Sequence, residues 1–120
     1  MAYVDGFVLA VPKKNIAAYR TMARRAGKVW REHGALEFRE CVGDDTAGTF
    51  GVAFTKLAKA KPGETVVFSW IVYRSKADRD RITKKVMSDP RLAKDMMDIK
   101  RMPFDPKRMA HGGFKVLVDA

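Results

Sequence analysis

Residues 64–73 read ETVVFSWIVY and carry the clearest strand pattern in the chain. β-branched and aromatic residues, which favour extended backbone, dominate this run, and Pro62-Gly63 precedes it as a turn. From Val66 to Tyr73 the side chains are apolar on both faces of the strand, which is typical of a central strand that is covered on both sides. We therefore predict that this segment lies in the middle of a sheet.

The periodicity of the remaining sequence predicts three more strands and three helices. Apolar residues alternate in the segments read as strands and recur every three or four positions in those read as helices. Residues 43–63 form a long polar connection in which we expect one short helical turn. The predicted strands cover residues 3–11, 36–42, 64–73 and 109–118, and the predicted helices cover residues 14–33, 75–88 and 90–98.

This order of elements predicts an α+β fold of the ferredoxin-like, split βαβ type, with a four-stranded antiparallel sheet. Residues 1–120 are expected to form one domain. The helices cover only one face of such a sheet, whereas the central strand is apolar on both. Because the second face needs a cover, we predict a homodimer.

Composition narrows the class of protein further. The net charge is +10, and 47% of the residues are hydrophobic. We expect no signal peptide, no membrane-spanning segment and a cytoplasmic location, because the first residues lack a basic and apolar leader and no apolar run approaches ~18 residues. Cys41 is the only cysteine, so it is expected to be a small filler at a strand end, and we predict no metal site.

Several stretches resemble a known family: YVDGF at residues 3–7, VWREHGAL at 29–36, VFSWIVY at 67–73, MPFD at 102–105 and GGF at 112–114. Together with their spacing they are similar to the YbaA-like family of uncharacterised bacterial proteins. The resemblance implies a dimeric α/β barrel, in which two ferredoxin-like sheets pack face to face. It implies no activity, because that family has no assigned function.

The wider superfamily of such barrels is similar to antibiotic-biosynthesis monooxygenases and haem-degrading enzymes. The haem-degrading members use an Asn on the first strand, a Trp on the third and a His on the second helix. Trp70 lies on the predicted third strand, but Asp5 occupies the first and residues 75–88 contain no His. Because no imidazole is available there to hold haem iron, we expect no haem, and we predict no other cofactor.

Two carboxylates are the candidate general bases. Asp5 and Glu40 each have apolar neighbours two positions away on the same strand face, so partial desolvation is expected to raise their pKa. The alternative is a buried acid paired with an arginine or a backbone amide. His33 and His111 would complete an acid–base group if they converge with Asp5 or Glu40. Otherwise they are structural or exposed.

Aromatic and methionine side chains are the candidate walls of an apolar pocket between the sheet and the helices. For ligand binding we single out Trp30, Trp70, Tyr73 and His111. Five methionines cluster in the C-terminal third, at positions 87, 96, 97, 102 and 109. Methionine suits both a ligand-binding wall and an irregular core, so this cluster does not separate the two interpretations.

Three functions are compatible with these features. The favoured one is a dimer that binds a small molecule in the apolar pocket. The second is a cofactor-independent, monooxygenase-like enzyme that acts on an aromatic or lipid-like metabolite. The third is an RNA- or DNA-binding module, which is less favoured because no nucleic-acid motif accompanies the basic face of the first helix. Membrane contact by the first helix is not expected, because the domain core needs the apolar face of that helix. The basic face comprises Arg20, Arg24, Arg25, Lys28 and Arg31.

Overall fold

The computed structural model describes the backbone of residues 1–120 and every side chain except those of Met96 and Met97. The strands are β1 (Tyr3–Pro12), β2 (Glu37–Val42), β3 (Glu64–Tyr73) and β4 (Ala110–Lys115). The helices are α1 (Ile16–Glu32), α2 (Phe54–Leu57), α3 (Lys76–Met87) and α4 (Pro90–Met97). No helix in the described part of the chain is long and apolar enough to cross a lipid bilayer.

The strands form one antiparallel sheet in the order β2-β3-β1-β4. The two central strands pair along their whole length, from Tyr3 opposite Tyr73 to Pro12 opposite Glu64. This arrangement confirms the predicted α+β, ferredoxin-like fold and the central position of residues 64–73. The expected helical turn in the long connection is also present, as α2.

Two element boundaries differ from the prediction by more than one residue. The last strand ends at Lys115 and not at residue 118, because its partner β1 begins at Tyr3. Val116 still donates its amide to the carbonyl of Ala2 at 3.1 Å, and β1 offers no pairing residue beyond that point. The first helix begins at Ile16, after a 3-10 turn over Lys13–Asn15.

The two faces of the sheet have different environments. On one face, side chains such as Leu9, Ile71 and Tyr73 are buried against α1, α3 and α4. On the other, Phe68 is 43% exposed and Phe114 is 62% exposed. Helix α2 covers part of this second face, where the rings of Phe54 and Phe68 lie 5.9 Å apart. We call this second, partly covered surface the open sheet face.

Helix α1 lies close to the edge of the sheet because Gly27 has no side chain. A Cβ atom at this position would lie 2.8 Å from Cδ1 of Phe38, which is too close for carbon atoms. The chain turns away from α1 at Gly34, whose φ of 117° is favourable only for glycine. Ser75 then caps α3, since its Oγ accepts the amide of Asp78 at 3.1 Å.

Candidate functional site

A cavity of about 510 Å³ lies between the helix-facing side of the sheet and the helices α1, α3 and α4. Most of its wall is apolar, as expected for a pocket in this place. Methionines 22, 87, 102 and 109 contribute to it, whereas the predicted contributions of Met96 and Met97 lie outside the described side chains. Other apolar wall residues include Phe7, Leu9, Trp30, Phe38, Ile71 and Phe104.

One row of residues crosses the cavity floor from edge to edge of the sheet. In the strand register, Glu40 lies opposite Ser69, Ser69 opposite Phe7, and Phe7 opposite His111. With neighbouring strands ~4.8 Å apart, the backbones of Glu40 and His111 are separated by about 14 Å. The rings of Phe7 and His111 stack at 6.3 Å. The carboxylate of Glu40 and the imidazole of His111 therefore lie at opposite ends of the same row of residues on the cavity floor.

Glu40 has the surroundings of a candidate base. Its Oε1 accepts a hydrogen bond from the hydroxyl of Tyr19 at 2.8 Å. Glu40 belongs to an edge strand and is exposed as a residue, but desolvation of its carboxyl group raises its pKa, and hydrogen bonds from Tyr19 and Ser69 oppose that rise. The direction of this pKa shift agrees with the one predicted for Glu40. Burial also raises the pKa of the Tyr19 hydroxyl, which therefore stays protonated.

Asp5 has a different environment. Only 9% of the residue is exposed, and both carboxylate oxygens have partners. The hydroxyl of Tyr73 donates to Oδ2 at 2.9 Å, and Nη1 of Arg79 donates to Oδ1 at 3.2 Å. The Arg79 guanidinium also lies over the ring of Tyr3, 5.0 Å from its centre. This is the arrangement of a buried, arginine-paired acid, which was the alternative to a free base.

His33 lies outside the cavity, so the structure does not bring it together with Asp5 or Glu40. It follows the last turn of α1, and its Nε2 is 2.8 Å from Oδ2 of Asp89 at the start of α4. Arg91 binds the same carboxylate at 2.8 Å. Hydrogen bonds from Arg91 and then from His33 hold the pKa of Asp89 below its usual range. The contacts of His33 therefore join α1 to α4.

Of the four aromatic candidates, Trp30 and His111 line the cavity. Their rings contact Tyr73 and Phe7, respectively, on the helix-facing side of the sheet. Tyr73 is fully buried behind the wall, where it packs edge-on against Trp30 at 6.2 Å. Trp70 borders the cavity, but strand alternation directs its indole to the open sheet face. There its Nε1 donates to Oε1 of Glu37 at 2.8 Å.

The prediction missed three polar residues of the wall, namely Arg79, Thr83 and Asp95. Thr83 Oγ1 is buried near the Tyr73 hydroxyl, but it forms no hydrogen bond of good geometry among the described residues. Asp95 Oδ2 has an ion contact of 3.5 Å with Arg25 but no hydrogen bond within the described structure. A sequence signal existed on α3, since positions 79, 83 and 87 recur every four residues and all three line the cavity.

The segment from residue 102 to residue 109 closes the cavity at one end. Two anchors hold it. Nδ2 of Asn15 donates to the carbonyl of Pro103 at 3.0 Å. The guanidinium of Arg108 donates to both carboxylate oxygens of Glu64, each at 2.8 Å. The hydrogen bonds from Arg108, followed by one from the amide of Lys61, lower the pKa of Glu64 to about 2.

Comparison with known proteins gives a family but no activity. The family model "Protein of unknown function (DUF1428)" matches residues 2–106. The chain is similar to the uncharacterised protein YbaA of Escherichia coli K12, with 47% identity over 119 residues that cover 99% of each chain.

Two solved structures are similar in fold. One is a dimeric ferredoxin-like protein from an uncultured marine organism, with a TM-score of 0.65, 10% identity and full coverage of both chains. The other is SnoaB, a cofactor-independent oxygenase from Streptomyces nogalater, with a TM-score of 0.61 and 10% identity. The match covers 98% of this chain and 95% of SnoaB. At such identities the likeness concerns the fold alone.

Proposed function

The chain belongs to the DUF1428 family of proteins of unknown function, and we propose that it binds a small, largely apolar molecule in the cavity between its sheet and its helices. The observation that carries this proposal is the cavity itself. Its volume of about 510 Å³ lies within the range of small-molecule sites, and a few polar groups interrupt its apolar wall.

The polar groups indicate how a ligand would be oriented. Ser69 and His111 lie on the floor, and Thr83 lies on the wall formed by α3. The buried Thr83 hydroxyl lies near the Tyr73 hydroxyl but forms no hydrogen bond of good geometry within the described part of the protein, and burying such a group without a full hydrogen bond is costly. A ligand with an apolar body and a polar group directed at α3 would satisfy it.

A cavity-filling substitution tests the proposal. Ala26 lines the cavity, whereas Ala18 on the same helix is exposed. We expect Ala26→Phe to abolish the binding of 8-anilinonaphthalene-1-sulfonate, an apolar fluorescent probe, because the ring occupies its space. The matched control Ala18→Phe should bind the probe as the wild type does. Native mass spectrometry of the protein from its own host should show a small adduct that Ala26→Phe lacks.

Two outcomes would contradict the proposal. One is a wild-type protein that neither binds the probe nor carries an adduct. The other is equal binding by the wild type, Ala26→Phe and a second cavity-filling variant, Met22→Trp, which guards against a local rearrangement around Ala26. Circular dichroism should first establish that each variant is folded.

A second candidate function, proton abstraction from the bound molecule, rests on the environment of Glu40. Desolvation raises its pKa toward the range that suits a general base. In this proposal the Glu40 carboxylate accepts a proton from a weakly acidic C–H or O–H group of the ligand, which becomes an anion. Cofactor-independent oxygenation would then require molecular oxygen as the oxidant. SnoaB, whose fold is similar, is such an oxygenase.

Glu40→Gln separates the two functions. It keeps an oxygen that accepts the Tyr19 hydrogen bond but removes the base. With the adduct found by native mass spectrometry as the test compound, the variant should still bind it. If Glu40 is a base, consumption of the compound should fall at least about a hundredfold. Consumption at the wild-type rate would eliminate proton abstraction by Glu40 and leave the binding function intact.

We also propose a cytoplasmic homodimer. The apolar open sheet face supports the dimer, and a protein with a similar fold is described as dimeric. The exposed, free thiol of Cys41 suits a reducing compartment; its exposure also corrects the expectation that it fills a packed strand end. Nucleic-acid binding by α1 remains the less favoured alternative.

A further inference from the structure

A second concave surface lies between α1 and the edge strand β2, and it shares Tyr19, Phe38 and Glu40 with the cavity. It has a volume of about 490 Å³, and we call it the basic groove. Apolar side chains, among them Ile16, Phe38 and Val42, form its floor. Four basic residues of α1 form its rim: Arg20, Arg24, Lys28 and Arg31.

The rim is a row of exposed cations. Its first three members are four residues apart, which places successive side chains about 6 Å apart along the helix. Within the described residues, Arg20, Arg24 and Lys28 form no ion pair with an acidic side chain. Arg25, on another side of the same helix, pairs with Asp95. In the described part of the chain, the groove therefore carries three cations without an ion pair, and Glu40 is the only acidic residue that lines it.

The opposite wall of the groove is the outer edge of β2, which has no partner strand in the described sheet; Nη1 of Arg39 donates to the carbonyl of Phe38 there at 3.4 Å. Strand β2 is terminal in the sheet and pairs only with β3. The amide of Gly43 donates to the carbonyl of Val66 at 2.7 Å, and this bond sets which residues of the strand face β3. Because the pattern alternates, the backbone groups of Phe38, Glu40 and Val42 point away from the sheet.

We propose that the basic groove binds an extended acidic peptide segment of a partner protein, which adds to β2 as a further strand. Side chains on one face of a strand repeat every ~6.7 Å, close to the spacing of the rim. Alternate acidic residues of the partner would thus meet successive cations while its backbone pairs with the edge. The phosphates of a nucleic acid would pair with the cations but would leave the backbone amides of the β2 edge without partners. The strand edge therefore favours a peptide as the ligand.

The probe is an N-acetylated, C-amidated hexapeptide of alternating Glu and Val, added to the full-length protein. Hydrogen exchange followed by NMR should show slower exchange for the amides of Phe38, Glu40 and Val42 when the peptide is bound. The amides of Arg39 and Cys41 already face β3 and should change little. The same peptide with N-methylated alternate residues should not bind, because its donors to the edge are blocked.

Charge reversal tests the rim. Arg24→Glu with Lys28→Glu should weaken peptide binding at least about tenfold, because like charges then face each other. Lys84→Glu with Lys85→Glu is the matched control, since these exposed lysines of α3 give the same change of net charge elsewhere. Arg24→Gln with Lys28→Gln should give a smaller loss and replaces the first variant if that one unfolds.

Three results would overturn the proposal. The first is equal binding of the hexapeptide and its N-methylated form. The second is an equal loss of affinity in the rim variant and the lysine control. The third is a rim-dependent complex with oligouridylate, without protection of the three edge amides and tighter than the peptide complex, which would identify the partner as a nucleic acid. Ligand binding in the cavity is tested separately by Ala26→Phe, because Ala26 lines the cavity and not the groove.

Discussion

The carboxylates of Glu40 and Asp5 lie on the same side of the sheet. They form hydrogen bonds with different groups, and this difference gives them different roles. Asp5 binds the Tyr73 hydroxyl and the Arg79 guanidinium, so its charge is balanced within the fold. Glu40 binds the Tyr19 hydroxyl and has no cationic partner among the described ion pairs. A desolvated carboxyl group without a cation favours its neutral form.

The pH dependence of stability should reveal this property of Glu40. Its pKa is raised above the ordinary value of 4.5 in the folded state, so its contribution to stability is present below that value and is lost as pH rises through the folded pKa. Glu40→Gln stays neutral. We therefore expect the unfolding free energy of the wild type, relative to the variant, to decrease as pH rises above 4.5. Denaturant titrations at several pH values measure this, and an increase would contradict it.

Strand alternation allowed the sequence to identify Glu40 and Asp5 as acids with apolar neighbours. It could not identify Tyr19 or Arg79 as their partners, because those contacts depend on how α1 and α3 pack across the sheet. The sequence left the role of His33 open for a related reason. Its position at the end of α1 was predicted, but the direction of its ring is set by Asp89, 56 residues further along the chain.

At the scale of the element, the segment from residue 102 to residue 109 determines how the cavity is closed. It has little regular structure, so its own backbone does not hold it in place. The Arg108–Glu64 pair instead attaches it to the start of β3. Nη2 of Arg108 also donates to the carbonyl of Lys59 at 2.9 Å, which joins the segment to the residues after α2.

Acid should weaken this attachment. The pKa of Glu64 is lowered from 4.5 to about 2, so its contribution to stability is present above the unfolded value of 4.5 and is lost as pH falls through about 2. Glu64→Gln lacks this contribution. We expect the wild type to exceed the variant in unfolding free energy at pH 6 and to lose that advantage in acid. A constant difference between pH 6 and pH 2 would exclude a role for the charge.

The sequence predicts most accurately those elements whose boundaries depend only on residues that are adjacent in the chain. Residues 64–73 were assigned without error, because a run of β-branched and aromatic residues between two turns leaves no alternative. The last strand was predicted too long because its end depends on the length of β1, which the local sequence of residues 109–118 does not contain. The basic row of α1 was recognised, but its position beside an unpaired strand edge required the sheet order.

At the scale of the whole molecule, the helices leave the open sheet face only partly covered. The sequence predicted it from the apolar character of both faces of β3. In the structure, Phe68 and Phe114 remain 43% and 62% exposed on that face. Partly exposed aromatic rings on one continuous surface are typical of a protein–protein interface.

A charge on the open sheet face should therefore prevent dimerisation. We expect light scattering to give a mass of two chains for the wild type and a dissociation constant at least about a hundredfold higher for Phe68→Lys, because the ammonium group loses its hydration in the interface. Phe114→Lys tests the same face on β4, at a residue that belongs to neither of the described core clusters. Phe50→Lys is the control, since Phe50 is fully exposed in the connection after β2. A monomeric wild type, or variants that all stay dimeric, would show that the second copy does not bind here.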